Sequence, residues 1–430
     1  MTEAVDLARV RRTWWPLAAS WLLMGVELPL VSAHMARLVE PEISLAAYGA
    51  LVFPICLVIE APIIMLLAAS TALCTTRARY AKVARFMHAA GAALTALHLA
   101  IALTPLYDLI ARDLIGVPEE IIEPGRLGLL LMTPWTWTIA YRRFQQGVMI
   151  RFGASRAVGI GTVVRVVTLV TALQIGIRIP GALGIAVGAC AVALAVSAEA
   201  IFAGWAVREI RRERLPEEDG EPGLDLRTFL AFYVPLAMTP LMTLLIQPIG
   251  AAAMSRMPRD LDSLAVWPAV HGLVFLFRSP GFALNEVVVA LVREPGGQAA
   301  LVRFTRMLGL TLVVALGLVA LTPLDALWFE GFTGLSPELA QLAGGVLILA
   351  VLMPGYQALQ SLYQGILVAR GDTRPVTEAV ALYLVVAVAL LAAGAAWDGA
   401  PGVAVALVCF TVAGLSQTVW LAVRARRHRS

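Results

Sequence analysis

The chain has 430 residues, 60% of them hydrophobic and 14% charged, with a formal net charge of +4. Mean hydropathy is +0.81 and the pI is about 9.0. So little charge cannot cover a soluble surface, the basic residues sit at segment ends instead of forming a nucleic-acid patch, and the continuous apolar runs exclude a membrane β-barrel.

In chain order, apolar segments fall at 14–38, 44–73, 83–104, 124–149, 157–178 and 180–207, then at 228–255, 263–291, 301–321, 338–368, 375–396 and 401–423. Each is long enough to cross about 30 Å of hydrocarbon as a helix. The sequence therefore predicts an all-α polytopic membrane protein with twelve transmembrane helices. The N-terminus runs directly into a long span with no small-residue cleavage site, so the first helix is expected to be retained. The four cysteines, Cys56, Cys74, Cys190 and Cys409, lie scattered in apolar contexts and read as packing residues.

Loop charge sets the expected orientation. One set of loops is basic, including Arg9, Arg11, Arg12, Arg77, Arg79, Lys82, Arg208, Arg211, Arg212, Arg424, Arg427 and Arg429. The alternate set is acidic, including Glu40, Glu42, Asp108, Asp113, Glu119, Glu120 and Glu123. Basic loops belong on the cytoplasmic side, so both termini are expected there. Abundant alanine and a preference for arginine over lysine point to a GC-rich bacterial genome, hence to a multi-pass protein of the inner membrane.

The second half repeats the first at an offset of roughly 218 residues. Arg85-Phe86 returns as Arg303-Phe304, Thr104-Pro105-Leu106 as Thr322-Pro323-Leu324, Gln146-Gly147 as Gln364-Gly365, and Gly153 as Gly371. Pro180-Gly181 pairs with Pro401-Gly402 after a small insertion. The expected organisation is an N-terminal six-helix lobe over 1–210, a polar cytoplasmic linker over 211–226 and a C-terminal six-helix lobe over 227–430. Such parallel repeats point to a transporter with its site between the halves.

Trp14-Trp15-Pro16-Leu17 opening the first helix, Ala46-Ala47-Tyr48-Gly49 opening the second, and Gln146-Gly147-Val148-Met149 carry a resemblance that covers nearly the whole chain. The chain resembles the multidrug/oligosaccharidyl-lipid/polysaccharide (MOP) exporter superfamily, which includes the multidrug and toxin extrusion (MATE) transporters, and within it the progressive ankylosis branch. The resemblance implies a V-shaped exporter of two six-helix lobes, open alternately to each side. Multidrug members imply cation-coupled export through acidic residues; progressive ankylosis relatives imply export of anionic metabolites. Glu27, not an aspartate, is the one acidic residue in the middle of the first helix.

Charges inside hydrocarbon mark function by default. Glu27 and His34 lie two turns apart on nearly one face, where they either couple a proton or cation or make structural pairs. Glu60, before Pro62, and Arg278, before Pro280, align across the repeat and form a gate between lobes, a substrate contact (Arg278, with Asn285) or two separate ion pairs. Asn285 and Glu286 extend a polar stripe from Arg278. Arg142, Arg143 and Gln146 on the fourth helix, with Gln360 and Gln364 on the tenth, suit carboxylate or phosphate oxygens; the arginines equally suit neutralisation of Glu27, Glu60 or Glu199. Arg165 is a further substrate candidate, or a partner holding Glu199. Internal prolines at positions such as 29, 62, 134, 248, 280 and 354 are expected to kink the spans.

The leading reading is a secondary active transporter exporting a small organic or phosphorylated anion, with proton or sodium coupling at Glu27 or Glu60. Multidrug export of organic cations, a lipid-linked precursor flippase and a non-transporting scaffold are the alternatives. No catalytic motif, cofactor site or metal-spaced ligand set stands out. The expected partners are a small anionic substrate and membrane lipids, with the protein a monomer.

Overall fold

Helical hydropathy of this strength leaves the backbone no choice in a bilayer but to satisfy its own hydrogen bonds. The computed structural model, which describes residues 5–217 and 225–427, is helical almost throughout. We number the long helices α1 (Leu7–Met35), α2 (Pro41–Leu73), α3 (Arg77–Leu103), α4 (Ile122–Leu131 with Thr133–Arg151), α5 (Ser155–Gly176) and α6 (Gly184–Arg214). The second set is α7 (Leu226–Met254), α8 (Asp260–Leu291), α9 (Gly297–Leu321), α10 (Pro337–Ala369), α11 (Arg374–Trp397) and α12 (Gly402–Arg426).

Eleven of these, among the described residues, are long and apolar enough to cross a membrane. α4 is the exception. It is long enough, but its two halves carry Arg126, Arg142, Arg143 and Arg151, which dilute its hydropathy. The acidic segment of the expected linker, at 218–224, and Arg429 lie outside the described residues. The described part of the linker is tied to the start of α3, where the Arg77 amide donates to the Pro216 carbonyl (2.9 Å) and the Arg77 guanidinium to that of Arg212 (2.8 Å).

The prolines act as expected, and their breaks follow the repeat. α1 is interrupted at Val26, three residues before Pro29, and α7 at Leu245, three before Pro248. α2 breaks at Met65 and α8 at Ala283, each three residues after a proline; α4 breaks at Met132, before Pro134. A proline cannot donate to the carbonyl four residues back. At Pro280 the orphaned carbonyl is that of Leu276, and the Ser279 hydroxyl donates to it at 2.9 Å.

Caps and turns repeat too. Asp6 and Asp225 cap α1 and α7, each accepting from the amide three residues on at 2.8 Å. Left-handed backbone recurs at Glu40 and Arg259, Gly116 and Gly334, and Gly153 and Gly371. At Gly153 and Gly371 no neighbouring atom would obstruct a Cβ, so it is the positive φ of 76° and 83° that favours glycine.

The chain folds as two compact units, and their boundaries differ from the sequence halves 1–210 and 227–430. One unit comprises Met1–Ala36 with Ala253–Ser430, the other Arg37–Ala252. α1 packs on α8, and Val10 and Trp14 enter an apolar cluster with Leu284, Val288 and Leu362. α7 packs on α2, where the Tyr233 hydroxyl donates to the Pro62 carbonyl at 2.5 Å. The repeated helices α1 and α7 are thus exchanged between the repeats. In the unit of α1, α10 is central, packing on α8, α9 and α12; in the other, α4 packs on α2, α3 and α6.

Candidate functional site

Each unit holds a polar centre inside its helices. In the unit of Arg37–Ala252 the centre is Glu199 on α6, 1% exposed. Arg142 Nη1 donates to Glu199 Oε2 at 2.6 Å, Gln146 Nε2 donates to Oε1 at 3.0 Å, and Arg165 Nη1 lies 3.9 Å from Oε2. Arg142 and Gln146 reach one carboxylate together because they sit one turn apart on α4. Three of the candidate substrate residues, Arg142, Gln146 and Arg165, are therefore gathered on a buried glutamate.

Arg143, the next residue on α4, points elsewhere. Among the described residues it makes no ion pair or hydrogen bond, and its Nε is shielded from solvent. Glu60, buried on α2, acts electrostatically on both Arg142 and Arg143. Thr71 Oγ1 donates to the Gly147 carbonyl at 3.1 Å, locking α2 against α4 beside this centre.

In the other unit the equivalent positions are neutral. Gln360 on α10 donates to Gln417 Oε1 (3.2 Å), Thr418 Oγ1 (3.1 Å) and the Gly414 carbonyl (2.9 Å). Arg142 and Glu199 are 57 residues apart, and so are Gln360 and Gln417. An ion pair in one repeat is an amide pair in the other. The match also corrects the sequence register: α6 begins at Gly184 and α12 at Gly402, 402 − 184 = 218 residues apart, so Pro180-Gly181 and Pro401-Gly402 are not equivalent. Gln364, half-buried, makes no hydrogen bond among the described residues.

Arg278 on α8 lies near the amide pair and contacts a neutral group. Its Nη2 donates to Gln357 Oε1 at 2.8 Å, and its guanidinium carbon stands 5.6 Å from the Phe282 ring centre and 5.9 Å from that of Tyr356. It makes no ion pair among the described residues, and its Nε is buried without an acceptor. Asn285 turns toward the Ser361 carbonyl at 3.5 Å, while Glu286, one residue on, is exposed. The stripe read from Arg278 to Glu286 thus splits at the Ala283 break.

Glu27 opens the second half of α1, half-buried. His34 Nδ1 lies 2.8 Å from the Leu30 carbonyl, one turn back on the same helix. Glu60 and Arg278 occupy repeat-related positions in different units. Gln357, which shares the face of Gln360 and Gln364 in the sequence, and Gln417 complete the amide-lined centre; Gln417 was less visible in sequence, since an amide inside an apolar run carries no charge to draw attention.

The acidic segment between α3 and α4 is partly compensated by Arg112 within it and by Arg126 in the first turns of α4. Arg112 bridges Asp108 (2.9 Å) and Glu119, and Arg126 holds Asp108 at 2.8 Å and Glu123 at 3.3 Å. The hydrogen bond from Arg126 holds the Asp108 carboxyl below its ordinary range, and that from Arg112 does the same for Glu119. The four cysteines are free thiols, three buried and Cys190 half-buried. Among the described residues no group of three or more His, Cys, Asp or Glu side chains gathers to hold a metal ion.

No family model matches the sequence, and no curated protein matches it either. Solved structures match over nearly its full length. An inward-facing multidrug-resistance MATE family transporter of the MOP superfamily aligns at 16% identity and a TM-score of 0.70, over 94% of this chain and 95% of that one. The lipid II flippase MurJ, in an inward closed conformation, aligns at 12% identity and 0.69, over 95% and 87%. A MOP superfamily transporter from Pyrococcus furiosus Vc1, whose binding pocket is described as having reverse polarity, aligns at 17% identity and 0.61, over 100% and 99%. This polytopic membrane protein has the MATE-like fold of the MOP superfamily transporters.

Proposed function

We propose that the protein is a secondary active exporter of a small organic or phosphorylated anion, working by alternating access. The observation that carries this is the two guanidiniums within the spans, Arg143 and Arg278, that make no ion pair among the described residues. A cation within a span is costly unless it meets a partner or a wet cavity. An anionic substrate supplies such a partner, and a guanidinium suits carboxylate or phosphate geometry. Arg142, Gln146 and Arg165 are assigned to the scaffold, because Glu199 takes their donors. Gln357 beside Arg278 and the open amide of Gln364 supply neutral hydrogen bonds.

On this reading Glu27 or Glu60 binds the coupling proton or sodium ion. α4 is the twelfth span, with Arg142 and Arg143 lowering its hydropathy because they serve the interior. Both termini are cytoplasmic and the membrane is the bacterial inner membrane. An anionic-metabolite exporter of the progressive ankylosis type fits this better than a multidrug exporter of organic cations, whose cavity would need uncommitted carboxylates. The relative with reverse pocket polarity supports the view that this fold accommodates more than one pocket charge.

The test is uptake into proteoliposomes of citrate, pyrophosphate, nucleotides and organic cations, with and without a pH or sodium gradient. Arg143→Gln and Arg278→Gln are each expected to lower anion transport by at least about tenfold, the loss of one charge-assisted hydrogen bond. Either Glu27→Gln or Glu60→Gln is expected to remove gradient dependence. Movement of organic cations alone, indifferent to both arginine variants, would overturn the reading.

A further inference from the structure

A cavity of about 900 Å³ lies within the unit of α8 to α12, at the end where α9 begins, and the transport reading does not use it. Its polar wall is strongly cationic. Arg303 and Arg306 on α9 and Arg426 on α12 line it, exposed and without an ion pair among the described residues. The one carboxylate in the lining, Glu294, is already held by Arg9, with contacts of 2.7 and 2.9 Å.

Two further features aim at a negative group. Gln298 lines the cavity with its Nε2 shielded from solvent and without an acceptor among the described residues. It stands in the first turn of α9, where, among the described residues, the backbone amides of Gln298 and Ala299 have no carbonyl partner while that of Gly297 bonds Glu294. Unpaired amides and the helix dipole both favour an anion there.

The apolar side says which anion. From the cavity rim, α9 exposes Met307, Leu310, Val314, Leu318 and Leu321, spaced three or four residues apart along one face. These side chains are between 50% and 73% exposed, as a surface in contact with acyl chains would be. A soluble phosphate has no use for such a stripe; a phospholipid does, with its headgroup among the arginines and its chains along α9. A basic pocket between membrane helices is a recognised form of lipid headgroup site.

We propose that this cavity binds the headgroup of an anionic phospholipid from the leaflet that faces the basic loops. It is independent of the transported substrate and requires only that the start of α9 lie at that leaflet.

The experiment is titration of the detergent-purified full-length protein with dioleoyl phosphatidylglycerol, cardiolipin and dioleoyl phosphatidylcholine, read by native mass spectrometry. Inorganic phosphate and glycerol phosphate serve as competitors. Each cavity arginine contributes about fivefold, so Arg303→Gln with Arg306→Gln should weaken binding of both anionic lipids about 25-fold and leave phosphatidylcholine unchanged. Gln298→Leu keeps every charge and should weaken the same lipids about fivefold. Arg156→Gln with Arg208→Gln, exposed basic residues outside the cavity, should change nothing, and all variants should keep the wild-type melting temperature. Equal weakening by the Arg156 and Arg208 variants would reduce the effect to bulk charge and overturn the site. Displacement of the lipid by phosphate at equal concentration would assign the cavity to a soluble anion and overturn the lipid.

Discussion

Replacing Glu199 by alanine would leave the Arg142 guanidinium and the Gln146 amide without acceptors in a site where the arginine side chain is 5% exposed. Removing one member of a buried ion pair costs about 3–5 kcal/mol, because the remaining charge stays buried and uncompensated. For a unit of roughly 200 residues each kcal/mol moves the melting temperature by about 2–4 °C, so the midpoint should fall by about 10 °C. The repeat supplies the rescue. Arg142→Gln combined with Glu199→Gln places at these positions the amide pair found at Gln360 and Gln417, and should recover the part of the loss that comes from the stranded Arg142 charge. Arg165, 3.9 Å from Glu199 and 13% exposed, loses a counter-charge in both variants and so does not distinguish them. The assay is the loss of monodisperse protein on a heating ramp, followed by size-exclusion chromatography. Equal losses in the single and double variants would refute the reasoning. A Glu199→Ala protein with an unchanged midpoint but no transport would also refute it, moving Glu199 from the scaffold into the transport cycle.

The segment between α3 and α4 should respond to acid with a definite sign. Arg126 and Arg112 lower the Asp108 and Glu119 carboxyls from ordinary values of 3.8 and 4.5. Their stabilising contribution is therefore full above those values and is lost as pH falls through the lowered ones. The wild-type melting temperature should be flat from neutrality to about pH 5 and fall below about pH 4; Asp108→Asn with Glu119→Gln should start lower at neutral pH and show less of that fall, and an identical acid limb would refute the assignment. Gly147→Val should cost about 3 kcal/mol or more, because its Cβ meets Ser70 Oγ and the rigid Leu67 carbonyl. Gly159→Val, with open space around it, should stay within about 0.5 kcal/mol. Thermal midpoints compare the two directly, and equal effects would show that the α2–α4 approach is not close-packed.

Hydropathy alone located the helices, since a span is a one-dimensional property of the chain: the expected 44–73 and 301–321 are found as Pro41–Leu73 and Gly297–Leu321. The glycines were legible because a positive φ demands a residue type, and Gly153 and Gly371 recur where the repeat predicts. What a carboxylate pairs with depends on which helices are neighbours, and here the sequence left alternatives open. Glu199 attracts Arg142, Gln146 and Arg165 from two helices, while Arg143, adjacent to Arg142, faces another direction because successive residues on a helix are about 100° apart. The register of α6 against α12 was misread for a similar reason. A Pro-Gly pair marks a turn, and turns shift by a few residues without penalty, whereas the Arg142–Glu199 and Gln360–Gln417 pairs must keep their spacing to meet at all.

The exchange of α1 and α7 changes where coupling is to be sought. Read by sequence halves, most of the titratable groups within the spans fall in the first repeat, which favours coupling there. Grouped by packing, Glu27 and His34 join Arg278, while Glu60 stays with Arg142, Arg143 and Glu199. Each unit then holds an acid within its spans and an arginine without an ion pair among the described residues. The amide pair in the unit of Arg278 has a physical consequence, because Gln360 and Gln417 place no charge at its centre. An anion at Arg278 therefore meets no buried carboxylate of the Glu199 type that competes for a guanidinium in this unit. Replacing Gln417 by glutamate would install such a competitor. Gln417→Glu should weaken anion binding at Arg278 by about tenfold while leaving the effect of Arg143→Gln unchanged, and an unaltered anion affinity would refute the argument.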